Sequence, residues 1–149
     1  AVKPVVKVCA SIRISNGRVN NAIRYWQKLG YEFEGIVFED TSMSCVGFPK
    51  FGEIIITIPD QTFDYKKIAI TRRGVDAETS MLVYAQIFMQ EKDVTKERVL
   101  EHELGHALGW NHAGRRYHIM NEAWEFGGSN SAGVSKRKYE EIIRSIELK

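Results

Sequence analysis

Residues 102–112 read His102-Glu103-Leu104-Gly105-His106-Ala107-Leu108-Gly109-Trp110-Asn111-His112. On a helix, His102 and His106 stand at i and i+4, so their imidazoles leave one face a turn apart. Two imidazoles so placed can bind one Zn²⁺ at about 2.0–2.1 Å each. Glu103 is offset from them by about 100° around the helix, beside the metal position rather than on it. That suits a general base acting on a metal-bound water. Leu100, Leu104, Ala107 and Leu108 fall on roughly the opposite side, so the helix can anchor in a core while its ligands face a cleft. Gly109 follows three residues after His106, and a glycine accepts the positive φ that turns a chain sharply. The turn can return His112 as a third ligand. Three imidazoles leave a fourth position open, the pattern of a catalytic rather than a structural zinc.

All four histidines of the chain lie between 102 and 118, and the first hundred residues contain none. That clustering points to one local chemical task. Two plainer readings stand beside it: a surface histidine helix without metal, and core histidines with satisfied ring nitrogens. The strict spacing weighs against both. A closed structural zinc would need a fourth protein ligand, and only His118 is near enough in sequence to supply one.

The rest of the chain frames this segment. Its 149 residues suggest a single domain over 1–149, with 44% hydrophobic and 27% charged residues in a normal globular balance. Lys plus Arg number 21 against 19 Asp plus Glu, a net +2 that argues against nucleic acid or an anionic membrane as the main partner. No apolar run approaches the ~18 residues of a membrane span. The start, AVKPVVKVCASIRIS, lacks the long apolar run of a signal peptide. The compartment stays open, with secreted and virus- or microbe-associated settings both compatible. Cys9 and Cys45 are read as two separate thiols, with a single disulfide left open.

Val6, Val8, Ala10, Ile12 and Ile14 alternate with polar or small residues and predict a strand. Val19, Ala22, Ile23, Trp26 and Leu29 predict a helix opened at Asn16 or Gly17 and closed by Gly30. Residues 31–38 predict a second strand. Ile54, Ile55, Ile56 and Ile58 predict a central strand buried on both faces. Residues 67–72, KIAITR, predict a short edge strand with charged margins, and Met81–Met89 a further strand. Residues 95–109 predict a helix capped by Thr95, and Ser135 opens a terminal helix carrying Tyr139, Ile142, Ile143 and Ile146. This order is an α/β or α+β arrangement on a mixed sheet.

The segment HELGHALGWNH resembles the extended zinc motif of the metzincin metallopeptidases, and Met120 in YHIMNE resembles their Met-turn. The element order is similar to the metzincin catalytic domain. The resemblance implies a twisted, mixed five-stranded sheet, a site helix, a Met-turn and a C-terminal helix. Ala22, Trp26, Gly30 and Phe33 are similar, more weakly, to the first helix and following strand of matrixins. The likeness covers the layout of nearly the whole chain but is specific only from about 99 to 121. It implies one catalytic Zn²⁺ on His102, His106 and His112, Glu103 as base, Gly109 at the turn and Met120 as an apolar floor. It departs from the family in several places. No histidines remain for a second, structural zinc, and Asp-rich calcium loops and an inhibitory pro-segment are not evident. Ala113 stands where matrixins have Ser, and Glu122 where astacins and serralysins have Tyr.

The implied activity is zinc-dependent endopeptidase hydrolysis, with the zinc-bound water activated by Glu103. The substrate would be a peptide or protein strand laid along an edge strand, for which Ile68, Ala69 and Ile70 are the candidates. The wall of a specificity pocket would run from about Asn121 to Phe126 and include Trp124. Tyr117 could donate to the oxyanion, and His118 could be an extra ligand or proton donor, although packing roles are the plainer reading for both. A monomer is expected. Two other functions stay open: a catalytically silent zinc- or protein-binding module of the same fold, against which the intact Glu103 argues, and a zinc hydrolase of non-peptide amides.

Overall fold

The computed structural model describes residues 3–39, 45, 49–76, 78, 82–96, 98–114 and 118–122. Its elements are β1 (Val5–Val8), α1 (Asn16–Gln27), β2 (Gly35–Phe38), β3 (Glu53–Thr57), β4 (Ala69–Val75), β5 (Leu82–Met89), a 3₁₀ turn (Glu91–Asp93) and α2 (Val99–Ala107). The five strands form one mixed sheet in the order β2-β1-β3-β5-β4. The first four of these run parallel, and β4 lies antiparallel to β5 at the edge. The expected mixed α/β architecture with five strands and two helices is what these residues form. The C-terminal helix expected from Ser135 lies outside the described residues. No helix among the described residues is long and apolar enough to cross a membrane.

β3 is central, and Ile54, Ile55 and Ile56 are all buried, as a continuous apolar run requires, whereas Ile58 of the expected run lies past the end of the strand at Thr57 and is exposed. α1 begins at Asn16, the first of the two expected positions, and its N-cap is Ser15, whose hydroxyl accepts from the Arg18 N–H at 3.1 Å. Its stripe of Val19, Ala22, Ile23 and Trp26 is buried, and Gly30 closes it at φ 100°.

Four expectations are corrected. β1 ends at Val8 instead of running to Ile14, because the chain turns after Cys9 and the Ile12 N–H bonds back to the Cys9 carbonyl at 3.2 Å. Cys9 and Cys45 are not separate thiols but a disulfide, with Cα atoms 5.9 Å apart; the end of β1 brings them within bonding reach. β2 starts at Gly35 rather than Tyr31, since the Tyr31 N–H bonds to the Trp26 carbonyl and its ring turns into the core. The site helix starts at Val99, not Thr95, and its N-cap is Arg98 in the left-handed region at φ 70°. The carbonyls of Val94 and Lys96 accept from the Arg18 guanidinium, at 3.2 Å each, instead of from the amides of a helical turn.

These contacts seat α2. It packs on α1, β4 and β5. Arg18 pairs with Glu101 on α2 at 2.7 Å, and the buried Trp26 indole N–H donates to the Glu101 carbonyl at 2.7 Å. Trp26 meets Tyr31 edge to face, and the Trp110 indole N–H donates to the Tyr31 hydroxyl at 2.8 Å. Gly105 lets the helix approach this cluster. A Cβ there would lie 2.5 Å from both the Met120 sulfur and Trp26 Cζ2. Gly105→Ala is therefore expected to destabilise the protein by about 1–3 kcal/mol in denaturant unfolding, despite alanine's better helix propensity. A neutral or stabilising result would show that Trp26 and Met120 repack freely.

Candidate metal centre

His102 and His106 project from consecutive turns of α2, and the chain leaves the helix through Gly109 at φ 113°. The Trp110 N–H bonds to the Gly105 carbonyl at 2.9 Å, and the Ala113 N–H to the Met120 carbonyl at 2.8 Å. These bonds bracket the exit and return His112 toward the helix. The three side chains offer ligand atoms that all lie within 4.8 Å of one another. The Nε2 of His106 lies 3.1 Å from Nε2 of His102 and 3.1 Å from Nε2 of His112.

The protonation pattern favours a cation here. His102 Nδ1 lies 2.7 Å from the Ile119 carbonyl and His106 Nδ1 lies 2.8 Å from the Trp110 carbonyl. A carbonyl only accepts, so each Nδ1 carries the hydrogen and each neutral ring turns a bare Nε2 lone pair toward the other. Two such lone pairs 3.1 Å apart repel unless a positive species sits between them. Two tetrahedral Zn–N bonds would put their nitrogens about 3.4 Å apart, close to the observed spacing. Backbone carbonyls on the far ring nitrogens are also the usual outer support of metal-bound imidazole. Burial, reinforced by the neighbouring imidazoles, lowers the His102 pKa to about 4, and burial likewise lowers that of His106. Both rings are thus neutral and ready to coordinate at physiological pH. The residues fit a single metal ion held by His102, His106 and His112.

Glu103 is not part of this trio. It is buried on the β4 side of the helix, where the Thr71 hydroxyl donates to its Oε2 at 2.5 Å. Burial pushes its carboxyl up to about 7, and the Thr71 hydrogen bond and the charge of Lys67 partly oppose that rise. Thr71 was not singled out by sequence. The available signal was the alternation in KIAITR, which puts Thr71 on the same side of the pleat as Ala69.

One cleft contains both the trio and Glu103, and Ile68, Ala69, Ile70 and Thr71 form part of its lining. Ile68 precedes β4, and the other three belong to it. Asn121 and Glu122, the start of the expected pocket wall, also line the cleft. Tyr117, Trp124 and Phe126 lie outside the described residues. Met120 is fully buried against Gly105. His118 is not in the trio: it is buried, its Nδ1 accepts from the Met120 N–H at 3.0 Å, and its ring lies 5.7 Å from that of Trp110. No family model matches this chain, and no curated protein matches it in sequence.

Proposed function

We propose that this chain is a zinc-dependent endopeptidase of the metzincin type. The observation that carries the reading is the convergence of three imidazoles, two of them oriented by backbone carbonyls, in a cleft that also holds the buried carboxyl of Glu103. The metal's identity as zinc rests on the all-imidazole donor set and on the resemblance of HELGHALGWNH to the metzincin motif. Bound zinc supplies Lewis acidity toward a carbonyl oxygen and lowers the pKa of water.

The chain's own groups do the remaining work. Glu103 accepts a proton at its carboxylate as water adds to the peptide carbonyl, then gives it to the amine as the C–N bond breaks. Burial raises the Glu103 carboxyl and so strengthens it as a base, while the charge of a bound metal would act in the opposite sense. Thr71 holds that carboxylate through a side-chain hydrogen bond. Among the described residues β4 pairs only with β5, and an extended peptide adding as a further strand would use its outer edge. This mode gives affinity through main-chain hydrogen bonds, which favours peptide over small amide substrates.

The test is a zinc titration of chelator-stripped protein against hydrolysis of an unfolded protein substrate. Hydrolysis should rise to a plateau at one zinc per chain. One bound zinc without hydrolysis would overturn the reading. Thr71→Val should lower turnover of a small neutral peptide between about 10- and 100-fold, with KM little changed, since a hydrogen bond to a charged group is lost. Thr71→Ser should restore it. An unimpaired Thr71→Val would remove Thr71 from any positioning role.

A further inference from the structure

The walls of the cleft are cationic. Lys66, Lys67, Arg73 and Arg98 line it, while its lining carboxylates are Glu103 and Glu122. Glu103 is buried beneath Thr71, and the metal that the trio fits would add two further positive charges. Asp64 accepts from the backbone N–H of Lys66 at 3.0 Å, and Asp60 pairs with Arg72 at 3.0 Å. Arg72 lies over the Phe88 ring. The neighbouring Arg73 emerges from the opposite side of the pleat, into the cleft, beside Gly109 at the end of α2. No ion pair joins Lys66, Lys67 or Arg73 to an acid among the described residues. Lys67 precedes and Arg73 follows Thr71, whose hydroxyl marks the position of Glu103 along this wall.

We infer that the cleft selects acidic polypeptide, with Asp or Glu side chains flanking the bond to be cut on both sides and meeting Lys67 and Arg73. This deepens the endopeptidase reading and rests on it for the words "bond to be cut". A peptide fits better than a nucleic acid. Binding of unpaired bases uses exposed aromatic faces. Among the described residues the one indole lining this cleft, that of Trp110, is buried and hydrogen-bonded to Tyr31. An unpaired strand edge, by contrast, is a peptide's natural partner.

The experiment measures binding separately from turnover. Labelled decapeptides of Ala and Gly carry Glu, Gln or Lys at both the third and eighth positions. Their affinity for zinc-loaded Glu103→Gln protein is read by fluorescence anisotropy at low and high salt. The Glu peptide should bind at least about tenfold tighter than the Gln peptide, the Lys peptide more weakly still, and high salt should erase the difference. The double variant Lys67→Glu/Arg73→Glu should reverse the order while keeping one zinc per chain. The milder Lys67→Gln/Arg73→Gln should level it, which covers the case in which charge reversal disturbs folding. Equal affinities, no measurable binding of the Glu peptide, or an order unchanged in both variants would overturn the inference. Displacement by a single-stranded oligonucleotide at concentrations below the peptide's Kd would overturn the peptide assignment. Wild-type turnover of the same peptides is scored alongside. Charge-selective binding without cleavage would leave the acidic cleft standing and remove the endopeptidase; cleavage without charge preference would do the reverse.

Discussion

Glu103→Gln is expected to lose between about 10²- and 10⁴-fold in peptide turnover, the range that a positioned general base contributes. It should still bind one zinc per chain. The change is nearly isosteric, and the amide oxygen can still accept from the Thr71 hydroxyl that now donates to Oε2 at 2.5 Å. What the amide lacks is the ability to take and return a proton. Because the wild-type carboxyl is buried and its pKa is raised to about 7 by that burial, the neutral amide should not destabilise the fold. Steady-state kinetics with zinc content measured on the same samples separates the two effects. Turnover within tenfold of wild type would exclude Glu103 as the base. Loss of zinc together with activity would mean that Glu103 supports the metal instead.

His106→Ala is expected to have the second large effect. His106 offers an Nε2 that lies 3.1 Å from both of the other Nε2 atoms, so its removal takes away one of three ligands. Zinc affinity should fall by more than the 10–100-fold that loss of an outer-shell partner costs. The stability consequence follows by mass action. Zinc at a hundred times its Kd stabilises the native state by about 2.7 kcal/mol. For a chain of this size that corresponds to a rise in Tm of about 5–11 °C. Thermal unfolding with and without zinc should show that shift in wild type and lose it in His106→Ala. An equal shift in both would place the zinc elsewhere. A shift in neither, with zinc bound, would mean that the unfolded chain binds zinc as tightly as the folded one.

The sequence carried most of the trio because its geometry is local. A helix fixes the relation between His102 and His106, and one glycine with positive φ, Gly109, fixes the return of His112. β3 was legible for the same reason: an unbroken Ile54–Ile56 run has few places to go except the middle of a sheet. What escaped depends on distant partners. Thr71 acquires its role only when β4 and α2 meet, 32 residues apart in sequence. The late start of α2 depends on Arg18, whose guanidinium reaches the carbonyls of Val94 and Lys96 from α1. The shortened β2 depends on Tyr31 finding Trp110, 79 residues away. Alternation along 6–14 suggested a longer strand because Ile12 is indeed buried, but it is buried after a turn rather than on a ladder. The pairing of Cys9 with Cys45 likewise follows from where the end of β1 sits. The cationic lining was hidden because a net charge of +2 averages over the whole chain and does not show that Lys66, Lys67, Arg73 and Arg98 meet at one cleft.

The central claim is hydrolysis of internal peptide bonds by the trio and Glu103 acting together. Its most direct test is mass spectrometry of a diverse peptide mixture after incubation with zinc-loaded wild type, chelator-stripped protein, the same protein restored with zinc, and Glu103→Gln. Discrete internal cleavages should appear with the zinc-loaded and restored wild type and vanish in the other two. An uncut mixture in the presence of protein holding one zinc per chain, or cleavages that persist undiminished in Glu103→Gln, would contradict it.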